Sequence, residues 1–335
     1  MLDRLELRHP LIQAPMAGVS TPELAAAVSE AGALGSVALG ALDTARAQDA
    51  ISRTRALTGR PFAVNLFCHR PAHRDHAREM AWLERLRPEF RRFDSTPPDH
   101  LTEIYQSFRA NPAMLDMLVE ARPAAISFHF GLPEPDQLQA LRATGAVLLA
   151  TATSEAEGRA IADAGLDGIV AQGWQAGGHR GSFDPELGDE QLETLPLTRQ
   201  LTGLGLPVIA AGGIMTREDA RQAIQAGAIA VQCGTAFLLA PEAATSAAHH
   251  AALSSGKTVM TRAISGRPAR GMENLFTAID GTDAADYPVA YDAGKALNAA
   301  ALAAGETGYG AFWAGTGAAS AIARPAAETV AAISL

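Results

Sequence analysis

The residues best suited to grip a charged ligand are glycines in two late loops. One reads Ala210-Ala211-Gly212-Gly213-Ile214 and leads through Thr216 into a helical pattern. The other reads Gln232-Cys233-Gly234-Thr235-Ala236. Each follows a short apolar run. Glycines at such strand ends let backbone N–H groups approach an anion closely, and a following helix N-terminus adds a favourable dipole. A phosphate is the ligand this chemistry suits; tight strand-to-helix turns are the other reading. A third loop, Gln172-Gly173-Trp174-Gln175-Ala176-Gly177-Gly178-His179-Arg180-Gly181, offers bare backbone at Gly177 and Gly178. His179 and Arg180 in that loop are either ligand contacts or surface cations.

Two further side chains stand where chemistry needs them. Asn65 lies in the apolar run Ala63-Val64-Asn65-Leu66-Phe67, and a buried carboxamide must find partners. It either satisfies neighbouring backbone or points at a ligand. His129 ends the run Ile126-Ser127-Phe128-His129-Phe130-Gly131. A histidine titrates near neutrality and suits proton transfer or charge stabilisation; a satisfied core histidine is the alternative.

These residues need a scaffold that brings strand ends together. Short apolar runs at 11–17, 34–39, 62–67, 124–130, 146–152, 168–172, 207–211 and 228–233 alternate with helical patterns. Thr21 and Pro22 make a helix start, and Gly165 and Gly227 make helix stops just before strands. Eight strand–helix units within about 230 residues predict an α/β (β/α)8 TIM barrel, whose phosphate site recurrently follows the last two strands. A doubly wound sheet places its phosphate glycines after the first strand instead. The expected layout is a barrel over residues 1–240, interrupted after the third strand by an insertion at about 69–100, then an extension over 241–335. The extension is expected to pack on the barrel and cover its mouth. Helical signals there fall near 242–254 and 317–333, and 260–309 reads as irregular.

Bulk properties narrow the class of function. A net charge of −9 argues against a nucleic-acid binder, and 48% hydrophobic residues permit a large core. Two cysteines in apolar runs, no signal-like N-terminus and no apolar stretch of membrane length point to the cytoplasm.

Taken together, Gln13-Ala14-Pro15-Met16-Ala17-Gly18, the Ser127-Phe128-His129-Phe130-Gly131 strand, the 173–181 loop and the paired glycine loops resemble the nitronate monooxygenase family, formerly called 2-nitropropane dioxygenase. The resemblance runs from about residue 11 to 309. It implies FMN and no metal. The implied FMN contacts are Pro15, Met16, Asn65, Gln172 (on the flavin ring), Gly177, Gly213, Gln232, Gly234 and Thr235. Ala17, Gly178, Gly212 and Cys233 are their near neighbours. It implies His129 at the reacting carbon, as a hydrogen-bond donor to an anionic nitronate or as the base for a neutral nitroalkane. Tyr287 and Tyr291, otherwise packing residues, become pocket residues with Lys295 and Tyr105. Arg262, Arg267 and Arg270 either steer the anion or lie on a solvated surface. Residues 69–98 match no part of the family pattern, and the helix after the eighth strand offers His249 and His250 where a pocket tyrosine is expected.

The implied reaction is oxidation of alkyl nitronates, such as propionate 3-nitronate, by O2 to a carbonyl compound and nitrite or related nitrogen oxides. Two alternatives remain open. One is an NAD(P)H-dependent flavin reductase of quinones or enoyl thioesters, although no G-x-G-x-x-G follows a strand. The other is a non-redox isomerase or lyase of a phosphorylated ligand.

Overall fold

The computed structural model describes residues 1–335. Its strands are β1 (Leu11–Gln13), β2 (Gly35–Ala38), β3 (Phe62–Phe67), β4 (Ala125–His129), β5 (Val147–Ala152) and β6 (Gly168–Gln172). They continue with β7 (Gly178–His179), β8 (Val208–Ala211), β9 (Ala230–Cys233), β10 (Thr258–Thr261) and β11 (Ala269–Met272). Eight of them form one parallel sheet in the order β1-β9-β8-β6-β5-β4-β3-β2, and a parallel bridge between Ile12 and Leu34 closes it into a barrel. The short strands β10, β11 and β7 make a separate antiparallel sheet beside the mouth.

Local chemistry sets the helix ends. The helices are α1 (Pro22–Glu30), α2 (Thr44–Leu57), α3 (His76–Arg91), α4 (Pro112–Ala121), α5 (Pro135–Ala143) and α6 (Glu155–Asp163). After them come α7 (Thr194–Thr202), α8 (Arg217–Gln225), α9 (Ala247–Leu253), α10 (Val289–Ala303) and α11 (Ala326–Ile333). Thr21 Oγ1 accepts the Leu24 N–H at 2.9 Å, with Pro22 at the first helical position. At α8, Thr216 and Asp219 cap each other's backbone. Gly227 follows that helix at φ +106°, a conformation L side chains avoid.

The core has three regions. Ile12, Leu34, Ala63, Val147, Leu149, Val170 and Ile209 fill the barrel interior. Larger clusters pack the outer sheet face against the helices. A third core joins the insertion to the extension, with Trp82, Leu83, Leu86 and Phe90 of α3 against Phe276, Val289, Leu297 and Tyr309. Burial of Phe90 and Phe276 there contributes about 1.5–3 kcal/mol for each ring. The insertion is thereby tied to the segments that reach over the strand ends. No helix is long and apolar enough to cross a membrane.

Several boundaries differ from the sequence expectation. β1 stops at Gln13 because Pro15 has no N–H and Ser20 draws the chain into a turn, accepting the Met16 N–H at 2.8 Å. The region 260–309 is not irregular throughout: it contains most of the β10–β11 hairpin and the whole of α10. α10 escapes a reading based on caps because Pro288 precedes it and no side chain caps it. In the extension, the expected helix at 242–254 shortens to α9, and that at 317–333 to α11, which begins just after Pro325.

Candidate functional site

The C-terminal ends of the strands surround a cavity of about 450 Å³. Pro15, Met16, Ala17, Asn65, Gln172, Gly177, Gly178, Gly212, Gly213, Gln232, Cys233, Gly234 and Thr235 all line it, as do His129, Tyr105, Tyr287, Tyr291 and Lys295. The barrel thus brings these candidates to one place.

One side of the cavity is rich in free hydrogen-bonding groups. The N–H groups of Gly213, Ile214 and Gly234 donate to no backbone acceptor in the chain. Gly213 sits at φ +71°, a backbone turn that glycine makes without strain. Asn65 Nδ2 donates to Ser127 Oγ at 2.9 Å and to the Ser127 carbonyl at 3.1 Å. The two neighbouring glycines of the 173–181 loop serve different ends. A Cβ on Gly177 would stand 2.4 Å from the Ala314 carbonyl carbon and the Gly315 nitrogen, so close packing requires that glycine. A Cβ on Gly178 would meet nothing within 4 Å. Open space at Gly178 and unpartnered N–H groups on the two late loops fit a bound nucleotide with a phosphate tail.

Gln172 has less freedom than its place on the strand suggests. Its Nε2 donates to the His179 carbonyl at 3.0 Å, and its Oε1 accepts the Gly181 N–H at 2.7 Å. The side chain folds the loop back, and one amide hydrogen remains for a ring. Arg180 is fully buried and braces the same loop through Asp189 and the carbonyls of Gln172 and Gly173. It is a structural cation rather than a surface one.

The opposite side carries two imidazoles. His129 Nδ1 lies 3.0 Å from Thr151 Oγ1, and Nε2 lies 3.2 Å from the His179 carbonyl oxygen. A carbonyl only accepts, so Nε2 carries the proton and the Thr151 hydroxyl donates to Nδ1. His179 Nε2 lies 2.8 Å from Ser265 Oγ. Phe67, Phe130, Tyr105, Tyr287, Tyr291 and Trp313 wall the imidazoles from water. Phe130 holds φ +72°, a strained conformation for an aromatic residue and one that persists where surroundings enforce it. Its ring lies 4.3 Å from the Arg267 guanidinium.

Loss of water governs the ionisation of these groups. Desolvation pushes His129 and His179 down to about 3, with the Arg267 charge adding to the effect at both. His69 and His249 fall to about 4, again chiefly through burial. Burial pushes Tyr105 up to about 12 and holds Tyr287 well above the ordinary tyrosine value, so both stay neutral donors. Arg267 is itself lowered to about 10 by desolvation, and its side chain donates to the Ser182 carbonyl. Neither Arg262, Arg267 nor Arg270 lines the cavity. Arg262 pairs with Glu186, and Arg270 holds the Trp174 carbonyl. Any help they give an anion acts through the field.

Four depressed histidines make stability pH-dependent. Their unfolded forms protonate below about 6.5 while the folded forms resist until pH 3 to 4, so the unfolded state binds more protons in that window. Stability is complete above that range and declines as pH falls, by about 1.4 kcal/mol per pH unit for each histidine. The melting temperature of the purified protein should drop between pH 7 and pH 5. A flat profile would contradict buried, neutral imidazoles.

Comparison with known proteins decides the family. The family model described as nitronate monooxygenase matches residues 1–334. The chain belongs to the nitronate monooxygenase family. It is 52% identical to a nitronate monooxygenase of Paraburkholderia phytofirmans, covering 99% of this chain and 93% of that protein. It is 51% identical to the Pseudomonas aeruginosa nitronate monooxygenase, covering 97% and 95%. Among solved structures, the nitroalkane oxidase from Streptomyces ansochromogenes superposes with a TM-score of 0.91 at 35% identity, covering 99% of this chain and 97% of that one. The chain is accordingly an oxidoreductase of the nitronate monooxygenase family, and both lines of relatives act on nitro compounds by name.

Within that family frame, some cavity residues escaped the sequence reading. Thr151 sits one step beyond the Phe128–Ala150 pair, level with His129, and that register was the available signal. Trp313 comes from the extension, where no periodic pattern marks it. His249 is the ring that the helix after the eighth strand supplies, stacked on Phe312 at 5.2 Å.

Proposed function

We propose that the protein oxidises small alkyl nitronates, propionate 3-nitronate among them, with O2 on bound FMN, releasing a carbonyl compound and nitrite or a related nitrogen oxide. The observation that carries this reading is the pairing of His129 with a cavity side whose backbone N–H groups suit a phosphate. FMN supplies the electron transfer between substrate and oxygen; the protein supplies orientation and electrostatics.

In this reading the chain's own part is to hold, orient and shield. Gly213, Ile214 and Gly234 would hold the phosphate through N–H groups, while Asn65, Gln172 and Gln232 would orient the ring system. The aromatic wall excludes water and strengthens each polar contact inside. His129 is neutral at pH 7, so the substrate meets an imidazole N–H rather than an imidazolium. That Nε2–H makes only a long contact with the His179 carbonyl, which Gln172 also satisfies. A nitronate oxygen can therefore take the His129 proton donor without stranding a buried carbonyl.

Lys295 stands at the mouth, 4.7 Å from the Tyr105 ring and 5.6 Å from the Tyr291 ring. Its exposed ammonium draws an anion inward. Lys295→Met should raise KM for a nitronate by about 3- to 10-fold at low salt, and the difference should shrink as ionic strength rises. An unchanged KM at every salt concentration would remove Lys295 from the entry path.

Anaerobic mixing tests the functional reading against reductase chemistry. Propionate 3-nitronate should bleach or shift the visible flavin spectrum within the turnover time, and NADH should not. Rapid bleaching by NADH with no response to the nitronate would overturn the reading.

A further inference from the structure

We propose that Arg267 supplies the positive charge that selects an anionic head group in this cavity, acting from behind the Phe130 ring rather than by contact. The inference rests on the nitronate reading, which makes the substrate an oxyanion.

Arg267 is a buried cation without a carboxylate partner. It is 4% exposed and forms no ion pair, whereas the equally enclosed Arg180 is paired with Asp189 at 2.7 Å. Its Nε has no hydrogen-bond partner, and the bond its side chain does make is to the Ser182 carbonyl. Three carboxylates lie near enough to be felt, those of Glu157, Asp286 and Asp184. Each is engaged elsewhere. Glu157 accepts from the Thr153 backbone and hydroxyl and from the Phe183 N–H. Asp286 accepts the N–H groups of His73 and Tyr287. Asp184 pairs with Arg70 and accepts the Glu186 N–H. An uncompensated buried charge is costly, so a bound anion nearby is correspondingly favoured.

The charge faces the cavity through a single ring. Arg267 Cζ stands 4.3 Å from the Phe130 centroid. The same ring has His129 at 4.4 Å, Tyr287 at 5.3 Å and His179 at 5.8 Å, and all four residues line the cavity. His69 stands edge-on to Phe130 and Tyr287. None of these groups answers the guanidinium: burial keeps the three imidazoles neutral, and Tyr287 keeps its proton. With water excluded by the aromatic wall, the field of Arg267 reaches the cavity little weakened. It favours charge and is indifferent to shape, so a nitronate gains from it and a neutral nitroalkane does not. Lys295 differs in kind. Its exposed ammonium acts on entry and is screened by salt, while a buried charge acts on the bound ligand and is screened far less.

Nitrate, a planar oxyanion with the outline of a nitronate head group, is the probe, and its binding to oxidised holoenzyme is read from the flavin absorbance. Arg267→Met should keep its flavin and melt near the wild-type temperature, because no carboxylate is left stranded. Its Kd for nitrate and its KM for propionate 3-nitronate should both rise about 10-fold or more, and the difference should persist at high salt. Arg267→Lys should bind nitrate within about 3-fold of wild type near pH 6 and lose affinity as pH rises, because a desolvated ammonium sheds its proton and a guanidinium keeps it. Wild type should stay flat over the same range. Unchanged nitrate affinity in the flavin-loaded methionine variant would overturn the role. So would a lysine variant as weak as methionine at every pH, or a difference that vanishes in salt. Wild-type enzyme that binds nitrate but fails to turn over the nitronate would instead overturn the functional reading beneath it.

Discussion

Replacing His129 with asparagine should lower nitronate turnover by about 10²- to 10⁴-fold while leaving the flavin bound. The expectation follows from what the imidazole does in the cavity and what it does not do elsewhere. Its Nε2–H is directed at the His179 carbonyl, and Thr151 holds its other nitrogen. None of the late glycine loops depends on it. Asparagine preserves a donor of similar reach but removes the second ring nitrogen, and with it the capacity to take up a proton. The loss should appear in kcat/KM for the anionic substrate, with melting temperature and flavin content close to wild type. Near-normal turnover in the flavin-loaded variant would remove His129 from the reaction.

The second large effect concerns the cofactor. Gly234→Asp should weaken FMN binding by about 100-fold or more, which is about 2.7 kcal/mol. Gly234 has φ −110° and ψ −63°, so an L residue fits its backbone. The nearest atom to a Cβ there would be Ala14 Cβ at 3.4 Å, an ordinary contact. Folding should survive. The introduced carboxylate would sit where unpartnered N–H groups await a phosphate, and like charges repel strongly in a water-poor site. The flavin-to-protein ratio after gel filtration measures the effect, and an FMN titration gives its size. Full flavin retention would show that the phosphate lies elsewhere. Gly177→Val should behave differently, because its Cβ would strike the Ala314–Gly315 backbone, so protein stability falls along with cofactor content.

Much of the barrel is readable from the sequence because each strand is a short apolar run and several helices carry their own start and stop chemistry. The site is readable for a related reason. Chemistry in such a barrel gathers at strand ends, and Asn65, His129, Gln172, Gly212 and Gly234 are unusual residues in those places. Thr151 occupies an equivalent place but looks like an ordinary strand former, and only its register beside His129 reveals it. Trp313 lies far along the chain in a segment without periodicity, so long-range packing alone brings it to the cavity. α10 is rich in alanine, a strong helix former, yet lacks a side-chain cap to announce it. Gly177 shows the converse: a glycine that reads as ligand-facing is required by the approach of another backbone segment. The low proton affinity of His129 is likewise invisible in sequence, since it comes chiefly from burial in the folded chain.

Oxygen uptake by the purified flavoprotein with propionate 3-nitronate addresses the central claim most directly. Addition of the nitronate should start rapid O2 consumption with nitrite formed alongside it, and NADH should leave the oxygen trace near its baseline. No uptake with nitronate by FMN-loaded protein, at any pH between 6 and 8, would contradict the account.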